Sequence, residues 1–213
     1  MLDESIQESF YKSLLSNRVL NTPISQTFSL IQSIPAGSTS YTFSIVRDYS
    51  KLTHIWITFR SASGAVCNGF NYPSTLTTSQ LSSMGTNPVF DAELPSPSIR
   101  VSLGAKNWPA FEPVATAQEH YWQLMQALPS VPMIDRKDFM TNTFVSVFDL
   151  RRTPGDASSA YSTRQGDQVR VQIAGLQPWD STGTAPQGPI EVNVTLVCLA
   201  CLATRESGCQ ILD

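Results

Sequence analysis

Leu52-Thr-His-Ile-Trp-Ile-Thr-Phe59 decides how the chain is read. Successive side chains of an extended backbone point to opposite faces, so Ile55, Ile57 and Phe59 share one face and His54, Trp56 and Thr58 the other. The residues are mostly β-branched or aromatic, and neither Gly nor Pro interrupts them. A strand with one bulky apolar face and one mixed face lines a core on one side only.

The flanking segments repeat the pattern. Upstream, Tyr41-Thr-Phe-Ser-Ile45 alternates in the same way, and 27–34 carries Phe28, Leu30, Ile31 and Ile34 before the turn residues Pro35-Ala36-Gly37. Downstream, 61–97 is rich in Gly, Pro, Ser, Thr and Asn and reads as a long connection holding at most one short strand. Long connections inside compact domains usually have a task, and this one is assigned to contacts between subunits. Ile99, Val101 and Leu103 restore the two-residue period up to Gly104, and Trp108-Pro109 marks a turn. The segment 143–150, with Phe144, Val145, Val147 and Phe148, is apolar on both faces, as a strand at a sandwich centre would be. Val169, Val171 and Ile173 alternate up to Gly175, and 190–203 reads as the longest and last strand.

One helix interrupts this series. Thr116 and Glu119 have the spacing of a capping box, in which each side chain satisfies an amide of the first turn. Ala117, Tyr121, Leu124, Met125 and Leu128 then share a helical face, and Pro129 ends the run. A lone amphipathic helix among strands covers an open end or edge of the sheets. Counting about seven or eight strands with unequal loops, the expected fold is all-β: an antiparallel β-sandwich of two sheets with one amphipathic helix in a connection. The expected organisation is an N-terminal arm or linker over 1–26 and a single domain over 27–213.

Composition narrows the function. Only 15% of the 213 residues are charged, so much of the surface is expected to lie against neighbouring subunits. The net charge is −3, and no cluster of Lys or Arg offers the positive footprint that phosphate needs, which argues against direct binding of nucleic acid. There is no apolar run of about 18 residues for a membrane span, and Met1-Leu-Asp-Glu-Ser5 lacks the features of a secretory signal, so a soluble, unsecreted product is expected. Cys67, Cys198, Cys201 and Cys209 are too uneven for a disulfide framework. Cys198 and Cys201 stand three apart on a strand, where their sulfurs diverge, so packing is preferred over a metal or redox role.

Catalytic patterns are sparse. The two histidines, His54 and His120, are read as a half-buried packing residue and a solvated surface residue, since neither has an evident orienting partner. Asp135 and Asp138 flank Arg136 and Lys137, and charge pairing accounts for them. No nucleophile elbow, phosphate loop or zinc-protease motif is present. Asn193-Val-Thr195 matches a glycosylation acceptor but lies in a core strand. The chain is therefore expected not to be an enzyme and to need no cofactor or metal. Trp108, Trp122 and Trp179 fall in or beside loops and the helix, where aromatics serve as subunit anchors or as core residues. Two rival readings remain: a carbohydrate-binding jelly roll, with Trp108 and Trp179 stacking on sugar rings, and a cupin-like enzyme, which two histidines do not support.

The stretch Ile99-Arg-Val-Ser-Leu-Gly-Ala-Lys-Asn-Trp-Pro109 leads to Glu119-His-Tyr-Trp122, then to Phe144-Val-Ser-Val-Phe-Asp-Leu150 and Ser162-Thr-Arg-Gln-Gly-Asp167. Together with the terminal strand, this succession resembles the second jelly roll of double jelly-roll major capsid proteins of DNA viruses, virophages and polinton-like elements. The resemblance covers the C-terminal half and implies an antiparallel β-sandwich of jelly-roll type and a structural protein of the virion, assembled inside the host cell as a trimer or larger assembly. Those proteins contain two rolls and form trimers of pseudo-sixfold outline, whereas this sequence supplies one roll. Partners are accordingly expected to be copies of itself or a companion jelly-roll capsid subunit. The subunit-contact candidates are Trp108, Trp122, Tyr72, Phe90, Arg152, Tyr161 and Arg164.

Overall fold

The decisive stretch becomes β3 (Leu52–Ser61), an inner strand of the larger of two sheets. In the computed structural model the described residues are 8–9, 11–12, 20–35, 38–61, 98–127, 134–135, 139, 144–153, 159–164, 167–175, 190–205 and 208–212. Around β3 stand β1 (Leu20–Ile34), β2 (Ser40–Ile45), β4 (Ser98–Leu103), β5 (Lys106–Trp108), the helix α1 (Ala117–Ala127), β6 (Ser146–Asp149), β7 (Val169–Ala174), β8 (Ile190–Arg205) and β9 (Gly208–Leu212). One sheet has the order β1-β8-β3-β6, with β9 also paired to β8; the other has the order β2-β7-β4-β5.

Every ladder is antiparallel, and the pairs β1–β8, β2–β7, β3–β6 and β4–β5 nest one inside another. The chain is in effect one long hairpin whose tip is the β4–β5 turn. Rolled up, it delivers alternate pairs to opposite sheets, and the contacts β3–β8 and β4–β7 close each sheet. This is the jelly-roll topology, and it confirms the expected fold class.

The core lies between the sheets. Opposed residues of an antiparallel pair share a face, so the register reads out the packing rows. Leu30, Val194 and Ile57 form one row, and Phe43, Val171 and Val101 form its counterpart in the second sheet. Ile57, Val194, Val171 and Val101 have no exposed surface. Along β8, Val192, Val194, Leu196 and Cys198 face inward, while Cys201 is half-buried at a position of opposite parity, as the strand spacing predicts.

The tip of the hairpin depends on Gly104. Leu103 pairs with Lys106, leaving Gly104-Ala105 as a two-residue turn, and Gly104 adopts φ 56°. Such turns need positive φ, which glycine adopts without a steric penalty. A Cβ here would also collide with the carboxylate of Asp167.

Several expectations need correction. β1 starts at Leu20 and not at 27, because residues 20–26 pair with the far half of β8 despite their weak apolar pattern. Trp108 ends a strand: β5 has three residues, and its polar Lys106 and Asn107 hid it from the alternation test. β9 follows the supposed last strand, so nine strands are present among the described residues. The segment read as a central strand over 143–150 is β6 over Ser146–Asp149, and β6 is an edge strand. Its second face is buried because α1 packs against it. His120 is fully buried, not solvated. It stands four residues before Leu124 on α1, on the face that turns inward.

Candidate functional site

The capping box forms as expected. Glu119 N–H donates to Thr116 Oγ1 at 3.2 Å, and Glu119 Oε2 accepts from the amides of Thr116 and Ala115 at 3.1 and 3.0 Å. Burial alone would raise the Glu119 pKa, but the hydrogen bonds from these amides and the Thr116 hydroxyl outweigh it, and the carboxyl is held below its usual value. From this start α1 sends His120, Tyr121 and Leu124 inward. The His120 Nδ1 and Ser146 Oγ lie 2.9 Å apart, and the ring meets Phe144 edge-on. Tyr121 donates its hydroxyl to the carbonyl of Ile134 at 3.0 Å. The same geometry leaves Trp122 on the opposite side of α1, 53% exposed.

Where α1 meets β5 and β6 there is a cleft of about 500 Å³, walled by Trp108, Pro109, Gln123, Val147 and Asp149. Its charged residues are already engaged. Arg151 grips Asp149 through Nε at 2.8 Å and Nη2 at 2.6 Å, and the Arg151 amide donates to the same carboxylate at 2.9 Å. Burial pushes the Asp149 pKa up, yet the Arg151 hydrogen bonds and the nearby charges of His54 and Arg151 bring the net shift below its ordinary value. His54 Nε2 is 3.9 Å from Asp149 Oδ1, too far for a hydrogen bond to orient the ring. Burial lowers the His54 pKa, the Asp149 carboxylate opposes that shift, and the Arg151 charge adds to it. The imidazole is therefore held neutral, and the carboxylate that could orient it is occupied by an arginine. Among the described residues no group of His, Cys, Asp and Glu side chains could hold a metal, and no helix is long and apolar enough to cross a membrane.

Of the predicted contact residues, Trp108, Trp122, Arg152, Tyr161 and Arg164 are among those described, and they differ in exposure. Trp108 is half-buried and meets the Tyr161 ring edge-on at 5.4 Å. Tyr161 donates its hydroxyl to Asp167 at 3.0 Å, and burial together with that carboxylate raises its pKa, so it remains a donor. Its backbone exchanges hydrogen bonds with Leu52 at 2.7 and 2.9 Å, at the point where the β3–β8 register shifts. Thr163, fully buried, pins the same loop: its Oγ1 accepts from the Tyr49 amide at 2.7 Å. Arg152 and Arg164 lie on the exposed side of this loop. Tyr72, Phe90 and Trp179 fall outside the described residues, as does the 62–97 part of the long connection.

A further surface aromatic had no sequence signal. Trp108 pairs with Val101 and Val114 with Ile99, so residues 109–113 bulge out of the β4–β5 ladder. The bulge is fixed at its base by backbone hydrogen bonds between Ile99 and Val114 of 2.8 and 3.0 Å and at its crest by the Arg100 guanidinium, which donates to the Phe111 carbonyl at 2.9 Å. Phe111 nevertheless points outward, 91% exposed.

No protein-family model matches the chain, and no curated protein matches it. Solved structures do. A chain of the quasi-atomic model of the PBCV-1 virus capsid aligns with 99% of this chain at a TM-score of 0.59 and 11% identity. The PBCV-1 protein VP54, fitted into a cryo-EM reconstruction of the virophage Sputnik, aligns over the same share at a TM-score of 0.57 and 11% identity. At that identity the likeness is one of fold, and the fold is the jelly roll of these viral capsid proteins. In both cases the alignment takes in 54% of the other chain, so this chain spans about half the length of the proteins it resembles.

Proposed function

We propose that the chain is a structural protein of a viral shell, one jelly roll that associates with copies of itself or with a companion roll to form the capsomers of an icosahedral capsid. The observation that carries this reading is the alignment of 99% of the chain with about half of a chain of a viral capsid. In this reading the chain acts in the virion, is assembled inside the host cell, has no catalytic role and binds no cofactor or nucleic acid. Its work is mechanical: the two sheets resist deformation, and the exposed aromatics Phe111 and Trp122, with Arg152 and Arg164, supply contact points.

Sedimentation velocity of the purified chain over a wide range of concentration tests the proposal. A defined oligomer of three or more copies is expected to grow with concentration. Phe111→Ser and Trp122→Ser should leave folding within about 0.5 kcal/mol of the parent, since both side chains are exposed. At least one should weaken association by about 2 kcal/mol, as truncation of an interface anchor does. A chain that stays monomeric at every concentration contradicts the proposal.

A further inference from the structure

β5 ends one sheet and β6 ends the other, and the cleft beside α1 takes its walls from both of these edge strands. Its volume of about 500 Å³ lies within the range of small-molecule sites, about 300–1,000 Å³. The floor is apolar and closed to solvent: Ala127, Val147 and Phe148 are no more than 4% exposed. Above it, among the described residues, a ligand meets the rings of Trp108 and Pro109, the side-chain amides of Gln123 and Gln126, and the Asp149–Arg151 pair.

The polar groups decide what fits. Asp149 and Arg151 cancel each other's charge, so these walls favour neither an anion nor a cation. A carboxylate has about four acceptor positions. Arg151 fills two on Oδ1 and one on Oδ2 of Asp149, which leaves a position on Oδ2. Gln123 Oε1 is buried and accepts no hydrogen bond, so nothing fixes that amide through its oxygen. A half-turn of the amide exchanges its oxygen for its NH2 group, and Gln123 can thereby offer the cleft an acceptor or a donor. Gln126, three residues along the same helix face and exposed, brings a second amide to the mouth. A hydroxyl both donates to a carboxylate and meets an amide in either orientation. The indole of Trp108, held edge-on by Tyr161, adds an aromatic surface whose electron-rich face attracts weakly positive C–H groups.

We infer that this cleft binds a neutral saccharide unit. Its apolar C–H face lies on Trp108 and Pro109, and its hydroxyls meet Asp149 Oδ2 and the amides of Gln123 and Gln126. A sugar is uncharged, carries hydroxyls around its rim and presents C–H groups on its ring faces, which is the combination these walls complement. None of these residues is among the contact points of the proposed assembly, so the two readings fail separately.

Titration of the chain with the methyl glycosides of glucose, galactose, mannose and N-acetylglucosamine tests the inference, with NMR of the side-chain amides and indole N–H groups as the readout. A methyl hexoside has about 13 non-hydrogen atoms, and at the efficiency of ordinary ligands this corresponds to a dissociation constant on the order of 1 mM. At least one glycoside should bind saturably in that range and shift the signals of Gln123, Gln126 and Trp108. Gln123→Ala and Gln126→Ala should melt like the parent and each weaken binding by about tenfold, the worth of one hydrogen bond. Sorbitol, which has the hydroxyls without the ring, should bind more weakly than the glycoside. Failure of all four glycosides to bind saturably overturns the inference. Binding that both variants leave unchanged overturns it as well, since the sugar would then sit elsewhere, and so does tighter binding of N-acetylglycine methylamide, which would make the ligand a peptide.

Discussion

His54 and Asp149, opposed across the β3–β6 ladder, show how ionic side chains act at one edge of the sandwich. Burial depresses the His54 pKa below its ordinary 6.5, so the unfolded chain binds more protons at this residue than the folded one. Stability therefore rises with pH through the window that ends near 6.5 and falls as acid carries the protein below it. Asp149 has the same sign in a more acidic window: its carboxyl is held below 3.8, and its contribution is lost as pH drops through the lowered value. Urea unfolding at pH 7, 6 and 5 should show a progressive loss of stability, and His54→Gln should flatten that dependence. An unchanged slope in the variant would place the acid sensitivity elsewhere. At this scale the sequence disclosed His54 correctly as half-buried. It misplaced His120, because a residue beside a capping glutamate looks solvated until the helix is seen to turn that face inward.

Elements were legible wherever a periodic pattern was long enough to be counted. β3, β4, β7 and most of β8 came from two-residue alternation, and α1 from its capping box and apolar stripe. β5 and β9 were missed because three and five residues give no measurable period, and β5 carries polar side chains on a strand held only by its hairpin. β6 was recognised as doubly buried but placed at the centre, since burial by a helix and burial by a second strand look identical in sequence. α1 is accordingly the element on which one edge of the sandwich depends. Leu124→Ala should cost about 2–5 kcal/mol in chemical denaturation, because Leu124 is 4% exposed against β6 and the core. Glu119→Ala removes only the cap and should cost about 1 kcal/mol. A smaller effect for Leu124 than for Glu119 would mean that α1 rests on the sheet without closing it.

The described strands β1 to β8 form one rolled hairpin, and the fold is that of viral capsid chains about twice as long as this one. A two-sheet sandwich could be inferred from strand count and unequal loops, but the nested pairing β1–β8, β2–β7, β3–β6 and β4–β5 could not, since sequence periodicity says which face a residue takes and not which strand it meets. The aromatics divide in the same way. Trp122 is visible in the sequence as an aromatic on the helix and is exposed, whereas the exposure of Phe111 depends on a bulge that only the register reveals. Trp108 and Tyr161 pack against each other edge-on.

Electron microscopy of the concentrated chain tests the central claim most directly. The account predicts discrete particles of fixed copy number, ring-shaped capsomers or closed shells, in which single jelly rolls stand side by side. A field of isolated folded monomers at every concentration would contradict it.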